Sequence, residues 1–279
     1  GTLCGLALMI ATTIDAFTDP MMGSISDHWK SRWGRRHPFM YASALPLAGF
    51  FYLLFNPWVT GEGPLFVWLL VFTVLTRLSM TLYHVPHLAL GAELTKDFDE
   101  RTSIAAFRMI FGASGWLIVA GLGFGYFFAA SEAYSNGQLN PAAYPPFALI
   151  ISVGIFVSII VTCLGTQSLV PNLPKASGLG RRGFKEIGKE TLGAFQNESF
   201  KALVASFILI SVPVGMSVAL ALYLNTFFWQ LTPAQVPLVL LAQFFSTLIG
   251  YALAPALSRY LDKKLALILG VLVWAIATA

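Results

Sequence analysis

Eight long apolar segments dominate this chain and limit it to one class of protein. With 57% hydrophobic and 11% charged residues, it has about half the charged fraction of an average soluble domain. A bilayer admits only helices or closed barrels, and these segments are too long and too continuously apolar for barrel strands. We therefore predict an all-α membrane protein with helices near residues 3–26, 38–57, 64–92, 104–130, 146–168, 200–228, 235–257 and 265–279.

The basic residues fall in alternate connections between these segments. The first, third, fifth and seventh connections hold or adjoin every Lys and Arg except Arg77, whereas the second, fourth and sixth contain none. By the positive-inside rule the basic connections face the cytoplasm. The pI near 9.1 therefore reflects orientation in the membrane, and we expect no nucleic-acid partner.

The fifth connection, residues 169–199, is the only long polar stretch, and we expect a cytoplasmic middle loop there. It separates a first transmembrane bundle, residues 1–168, from the start of a second one, residues 200–279. The basic loop with one Asp after the seventh segment resembles the loop after the first. A weak repeat of this kind is typical of a secondary transporter built from two halves.

Two aspartates lie one helical turn apart inside the first apolar segment. Asp15 and Asp19 are spaced i, i+4, so both carboxylates lie on the same face of a helix. An ionised carboxylate near the bilayer centre costs about 2.5–3.5 kcal/mol on insertion scales, so such residues usually face a cavity. The pair therefore indicates a site for a cation or a proton.

Arg77 and Thr81 are predicted to lie at the depths of the two aspartates. The first and third segments both run inward, and Asp15 and Arg77 each lie about 18 Å from the outer end of their helix. If the helices are neighbours, Asp15 faces Arg77 and Asp19 faces Thr81, and His84 continues the face of Arg77 and Thr81. Two acids and one arginine leave one negative charge, which one Na⁺ or one proton neutralises. The alternative is an ion pair that only joins two helices.

The sequence around these aspartates resembles a known family. The matching runs are Asp15-Ala-Phe-Thr-Asp-Pro-Met-Met-Gly23, Ser31-Arg-Trp-Gly-Arg-Arg-His-Pro38 and Leu90-Gly-Ala-Glu-Leu-Thr95. They resemble the glycoside–pentoside–hexuronide:cation symporters, which have the major facilitator fold. The resemblance covers the whole chain, as about helices two to nine of twelve. Since the chain begins within an apolar segment and ends 15 residues into the last one, we expect a fragment of a larger protein.

The resemblance implies roles for individual residues. The coupling-cation site would comprise Asp15, Asp19, Thr81 and the neighbouring Thr18, and the two aspartates would be metal ligands only if the ion is Na⁺. Two positions match sugar contacts of the family, His84 and Arg108, although the family has an aspartate where this chain has His84. Arg77 is either a structural partner or a substrate contact.

The first cytoplasmic loop resembles the facilitator loop that latches the inner gate by ion pairing. Its charged residues are Asp27, Arg32, Arg35 and Arg36. Anchoring by the positive-inside rule explains the arginines, but it does not explain Asp27.

The resemblance implies a symporter that is not an enzyme. The expected activity is cation-coupled symport of a sugar or glycoside by alternating access, by a monomer in the bacterial inner membrane. The coupling ion would be H⁺ or Na⁺, with no resident cofactor. Arg77 and His84 favour the proton, because an arginine competes with Na⁺ and histidine titrates near neutral pH.

Two other functions remain open. One is a carrier of lipid or another organic solute within the same family. The other is an intramembrane prenyltransferase that holds Mg²⁺-diphosphate. That enzyme needs a second acidic cluster, and segments 146–168, 200–228 and 235–257 contain no acidic residue.

Overall fold

The chain is helical in every segment predicted from its hydropathy. The structure, a computed structural model, describes residues 2–129, 131–134, 137–173, 193, 195–224, 228–230, 236–261 and 263–278, and these ranges contain no strand. The long helices are α1 (Thr2–His28), α2 (His37–Leu54), α3 (Glu62–Glu93), α4 (Phe98–Leu122), α5 (Tyr144–Gln167), α6 (Glu198–Tyr223), α7 (Val236–Tyr260) and α8 (Lys263–Thr278). A π-helical turn, Gly123–Phe127, extends α4.

α4 begins six residues before its predicted apolar segment, which was expected to start at residue 104. The Asp97 carboxylate accepts hydrogen bonds from the backbone N–H groups of Asp99 and Glu100, at 2.9 and 2.8 Å. This cap satisfies backbone donors that the first turn of a helix leaves free. Hydropathy misses that turn because its residues are polar.

Proline lies inside α1 and α3 without ending either helix. Pro20 is within Thr2–His28 and Pro86 within Glu62–Glu93. Because Pro86 has no N–H, it gives no hydrogen bond to the carbonyl of Leu82. The backbone of α3 therefore lacks one intrahelical hydrogen bond just beyond Thr81.

Small residues bring the helices of the first half close together. α3 packs against both α1 and α2, and α2 packs against α5. Ala7 and Ala11 are fully buried on α1, and a Cβ on Gly23 would lie 3.7 Å from Val85 of α3. Close backbone approach of this kind is how membrane helices gain van der Waals contact. The core residues shared by α2, α3 and α5 are Met40, Ala44, Leu47, Leu90, Ile159 and Cys163.

Polar contacts join the beginning of α2 to the end of α5. His37 Nε2 lies 2.9 Å from Thr166 Oγ1, and the Tyr41 hydroxyl donates to Gln167 Oε1 at 2.6 Å. Thr166 donates its own proton to the carbonyl of Thr162, so it accepts from His37. His37 precedes the apolar part of α2, and its burial lowers its pKa below the ordinary value of 6.5. The imidazole is therefore uncharged at neutral pH.

Several helices have the length and hydropathy needed to cross a bilayer. Among the described residues they are Leu3–His28, Glu62–Glu93, Asp99–Phe127, Pro141–Gln167 and Glu198–Ser217. Large apolar side chains on their outer surfaces are exposed, as Phe17 and Phe111 illustrate. In water such surfaces would be unfavourable, whereas lipid solvates them.

The chain divides into two compact units. One comprises Gly1–Ala105 and Ser114–Arg182, and the other comprises Ala106–Ala113 and Gly183–Ala279. The change from one unit to the other at residues 182 and 183 falls within the predicted middle loop, of which residues 174–192 lie outside the described part of the chain. The contacts between α1, α2, α3 and α5 all belong to the first unit.

Candidate functional site

The two aspartates of α1 pair with two residues of α3 at matching depths. Arg77 Nη1 donates to Asp15 Oδ2 at 2.6 Å, and the Thr81 hydroxyl donates to Asp19 Oδ1 at 2.7 Å. A weaker contact runs from Arg77 Nη2 to Thr12 Oγ1 at 3.4 Å. The pairing predicted from helix depth is therefore confirmed. It follows from the i, i+4 spacing on both helices, which presents two side chains to the facing helix.

The two carboxylates have different partners. Asp15 forms an ion pair with Arg77, and the two side chains are 16% and 42% exposed. Asp19 is exposed and faces the hydroxyl of Thr81, which is neutral and only 7% exposed. Because Arg77 compensates the charge of Asp15, one negative charge remains at this site, on Asp19.

Further oxygen atoms are available beside this ion pair. Asp15 Oδ1 and Thr18 Oγ1 are both buried, and neither has a hydrogen-bond partner among the described residues. Buried oxygens without donors lose their hydration and gain no contact in exchange. With Asp19 and Thr81 they form a set of carboxylate and hydroxyl oxygens, the ligand type that hard cations prefer. In the described part of the chain, no three His, Cys, Asp or Glu residues come together as a metal site.

The other predicted substrate residues are His84 and Arg108. His84 lies on α3 one turn beyond Thr81 and is exposed. Arg108 is exposed on α4, in the part of that helix that belongs to the second unit. Contact of either residue with a substrate stays a prediction.

The loop between α1 and α2 forms a network of ion pairs with α3. Arg36 Nη2 lies 2.6 Å from Asp27 Oδ1 and 2.5 Å from Glu93 Oε1. Arg35 Nη2 lies 2.7 Å from the same Glu93 oxygen. Arg36 also donates to Ser26 Oγ at 3.1 Å, and its side chain is only 6% exposed. Asp27, Arg35 and Arg36 thus come together, whereas Arg32 lies over the ring of Trp33 at 5.6 Å.

Sequence reasoning assigned no role to Glu93, although it is the common partner of Arg35 and Arg36. It lies at the C-terminal end of α3, 57 residues beyond Arg36. The sequence feature that could have indicated this role is an acidic residue at the end of an apolar helix, on the side of the membrane where the arginines are predicted to lie. That signal does not select Glu93, because Asp97 and Asp99 lie nearby in the same connection.

A family comparison now identifies the chain. The family model described as MFS/sugar transport protein, where MFS denotes the major facilitator superfamily, matches residues 2–279. The chain belongs to this family. It is therefore a multi-pass integral membrane protein of a transporter family, and the prediction that it is not an enzyme is confirmed.

Three relatives illustrate the similarity. The uncharacterized symporter sll1374 of Synechocystis is 25% identical, over 99% of this chain and 64% of its own length. The inner membrane symporter YicJ of Escherichia coli is 25% identical, over 93% of this chain and 53% of its own length. The isoprimeverose transporter of Lactiplantibacillus pentosus is 22% identical, over 97% of this chain and 54% of its own length. The chain thus spans between about half and two thirds of the relatives' length, and the predicted resemblance to glycoside–pentoside–hexuronide:cation symporters is confirmed.

Proposed function

We propose that the whole protein is a symporter that couples the movement of one monovalent cation to the uptake of a sugar or glycoside across the bacterial inner membrane. The observation that carries this proposal is the paired contact between α1 and α3, Asp15 with Arg77 and Asp19 with Thr81. Asp19 lies on a helix of membrane-spanning length and forms no ion pair with any described residue, so one positive charge at this site would compensate it. Membership of this family supports the transport of a solute, and the name of the isoprimeverose transporter supports a sugar as that solute.

The coupling mechanism follows from the charge of the site. An empty site holds the uncompensated carboxylate of Asp19, which is costly in a low-dielectric surrounding. Binding of the cation removes that cost and changes the relative free energy of the inward-open and outward-open states. Because binding free energies are linked reciprocally, a cation that stabilises the substrate-binding state also raises the affinity for substrate.

The ion pair favours H⁺ as the coupling ion. Na⁺ requires several oxygen ligands, and one oxygen of Asp15 is already held by Arg77 at 2.6 Å. The guanidinium also repels a second cation close to it. A proton needs a single carboxylate oxygen, which Asp19 supplies. We also propose that the protein works as a monomer and without a resident cofactor.

Uptake by the full-length protein in membrane vesicles tests this proposal. A panel of sugars and glycosides is measured under a proton gradient and, separately, under a sodium gradient. We expect accumulation driven by the proton gradient, and we expect Asp19→Asn to lower it at least about tenfold because the carboxylate proposed to bind the coupling ion is removed.

Glu132→Gln is the matched control, because it removes one exposed carboxylate from a connection predicted to face outward. It should leave accumulation unchanged. Sodium-driven uptake independent of pH would overturn the assignment of the proton. If Asp19→Asn retained gradient-driven uptake, the coupling site would lie elsewhere. Transport of lysolipids but no sugar would identify a lipid carrier of the same family.

A further inference from the structure

A cavity lies at the cytoplasmic end of the first unit, apart from the aspartate site. Its volume is about 490 Å³, and it lies open to the surface between the loop joining α1 to α2 and the chain that follows α5. Gly34 and Val170 meet where these two segments approach each other. A Cβ on Gly34 would lie 3.0 Å from Val170, and Gly34 has a φ of +83°, a conformation that suits glycine.

The walls of the cavity are strongly basic. Four cationic side chains line it: Lys30, Arg32, Arg35 and Arg36. Arg35 and Arg36 are neutralised by Glu93 and Asp27. Lys30 and Arg32 are exposed and form no ion pair with any described residue. The described surroundings of the cavity therefore have an excess of two positive charges.

Arg35 adds an unused hydrogen-bond donor. Its Nη2 is held by Glu93 at 2.7 Å, whereas its Nε–H is buried and has no acceptor among the described residues. A buried charged donor without an acceptor costs free energy. Arg35 also lines the cavity, and arginine suits phosphate oxygens especially well because its N–H groups form a fixed planar fork.

The position of the cavity favours a lipid as the source of the anion. The loop follows the cytoplasmic end of α1, which by the positive-inside rule meets the inner leaflet. Trp29 lines the cavity and is 44% exposed, and Trp33 in the same loop is 42% exposed. Tryptophan is typical of the headgroup level of a membrane, and basic pockets on the cytoplasmic side bind acidic headgroups.

We propose that this cavity binds the phosphate group of an acidic phospholipid from the cytoplasmic leaflet. The side chains of Lys30, Arg32 and Arg35 hold the phosphate, and Trp29 lies beside the glycerol and the start of the acyl chains. The site does not use the aspartates of α1, so it is independent of the proposed cation coupling.

Native mass spectrometry of the full-length protein in detergent micelles tests the proposal. The probes are phosphatidylglycerol and phosphatidylcholine, titrated separately. We expect one phosphatidylglycerol to bind more tightly than any phosphatidylcholine. Lys30→Gln combined with Arg32→Gln should weaken that binding about tenfold or more, because each cation near the membrane surface contributes to the attraction.

Lys96→Gln combined with Lys264→Gln is the matched control. It removes the same two charges from two other cytoplasmic connections, and both residues are exposed. Tight phosphatidylglycerol binding should persist in this control. An equal loss of phosphatidylglycerol affinity in both double variants would mean that only the net charge of the protein matters. That result would overturn the proposed binding site.

Two further outcomes are decided on the wild-type protein alone. Equal affinity for phosphatidylglycerol and phosphatidylcholine would overturn the proposal even if the double variants failed to fold. Excess sodium phosphate should not displace the lipid, because the acyl chains contribute to its binding. Full displacement by inorganic phosphate would show that a soluble phosphate, and not a lipid, occupies the cavity.

Discussion

At the scale of single residues, two identical side chains acquire different chemistry from their neighbours on α3. Asp15 faces a guanidinium at 2.6 Å, whereas Asp19 faces a hydroxyl at 2.7 Å. The first contact compensates a charge, and the second only orients a carboxylate. Asp15 therefore has a cationic partner in Arg77, whereas Asp19 has only a neutral one in Thr81.

The first prediction concerns the energy of the ion pair between Asp15 and Arg77. Asp15→Asn and Arg77→Gln each leave one charge without its partner, so each should lower the thermal unfolding midpoint of the full-length protein in micelles. Removing both should recover part of the loss, since no unpaired charge remains. We expect a coupling free energy of about 1 kcal/mol, because Arg77 is 42% exposed and partly solvated.

A second cycle provides the control for this measurement. It combines Asp15→Asn with Lys96→Gln, two substitutions in different parts of the chain. Their effects on the free energy of unfolding should add. If the effects of the first pair also added, the contact between Asp15 and Arg77 would contribute nothing to stability.

At the scale of secondary-structure elements, α3 joins the aspartate site to the cytoplasmic loop. At its outer end Trp68 Nε1 donates to the carbonyl of Leu53 on α2, at 2.8 Å. Arg77 and Thr81 lie in its middle, and Glu93 ends it. Since the helix rises about 1.5 Å per residue, Thr81 and Glu93 are separated by about 18 Å along one continuous element. A displacement of α3 at the cation site would therefore move the partner of Arg35 and Arg36.

The second prediction concerns this inner end of α3. Glu93→Gln removes the charge that accepts hydrogen bonds from both Arg35 and Arg36. The loop at residues 29–36 then loses its tie to α3, so its backbone amides should exchange hydrogen faster. Hydrogen–deuterium exchange followed by mass spectrometry of the full-length protein measures this change.

Glu62→Gln tests whether the effect is local. It makes the same chemical change at the outer end of the same helix, where Glu62 is exposed. Exchange at residues 29–36 should then match that of the unmodified protein. Unchanged exchange in Glu93→Gln would show that the ion pairs do not hold the loop.

At the scale of the whole molecule, orientation in the membrane follows from where the charges lie. The basic connections include the network of Arg35, Arg36 and Glu93 as well as the proposed phosphate cavity. Both features are therefore expected on the cytoplasmic side. The two aspartates lie within the first predicted apolar segment, away from these connections.

The third prediction tests that orientation. In a background with Cys4→Ser and Cys163→Ala, single cysteines are introduced as Glu132→Cys and Lys96→Cys. A membrane-impermeant maleimide should label the cysteine at position 132 in intact cells and the cysteine at position 96 only after permeabilisation. The opposite pattern would invert the topology and place the arginine loop outside.

Much of the fold was predictable because it depends on local properties of the chain. Hydropathy located each of the eight long helices among the described residues, since burial of backbone polar groups in lipid leaves a helix as the only solution for such segments. Helix ends were less predictable, because the start of α4 depends on the Asp97 cap and not on hydropathy. The contacts of Asp15 and Asp19 with α3 were predictable from their depth, because the rise per residue of a helix is regular.

By itself, the sequence determined the helices, their orientation and the depth of the two aspartates, since each of these follows from local spacing and from the position of charge. The tertiary structure decided which side chains share a proton or a charge. Only packing of α1 against α3 gave Arg77 to Asp15 and left Asp19 with a hydroxyl. Only the approach of the first loop to α3 selected Glu93 from several nearby acids. Such choices depend on distances of a few ångströms between residues far apart in the chain, and no local pattern contains them.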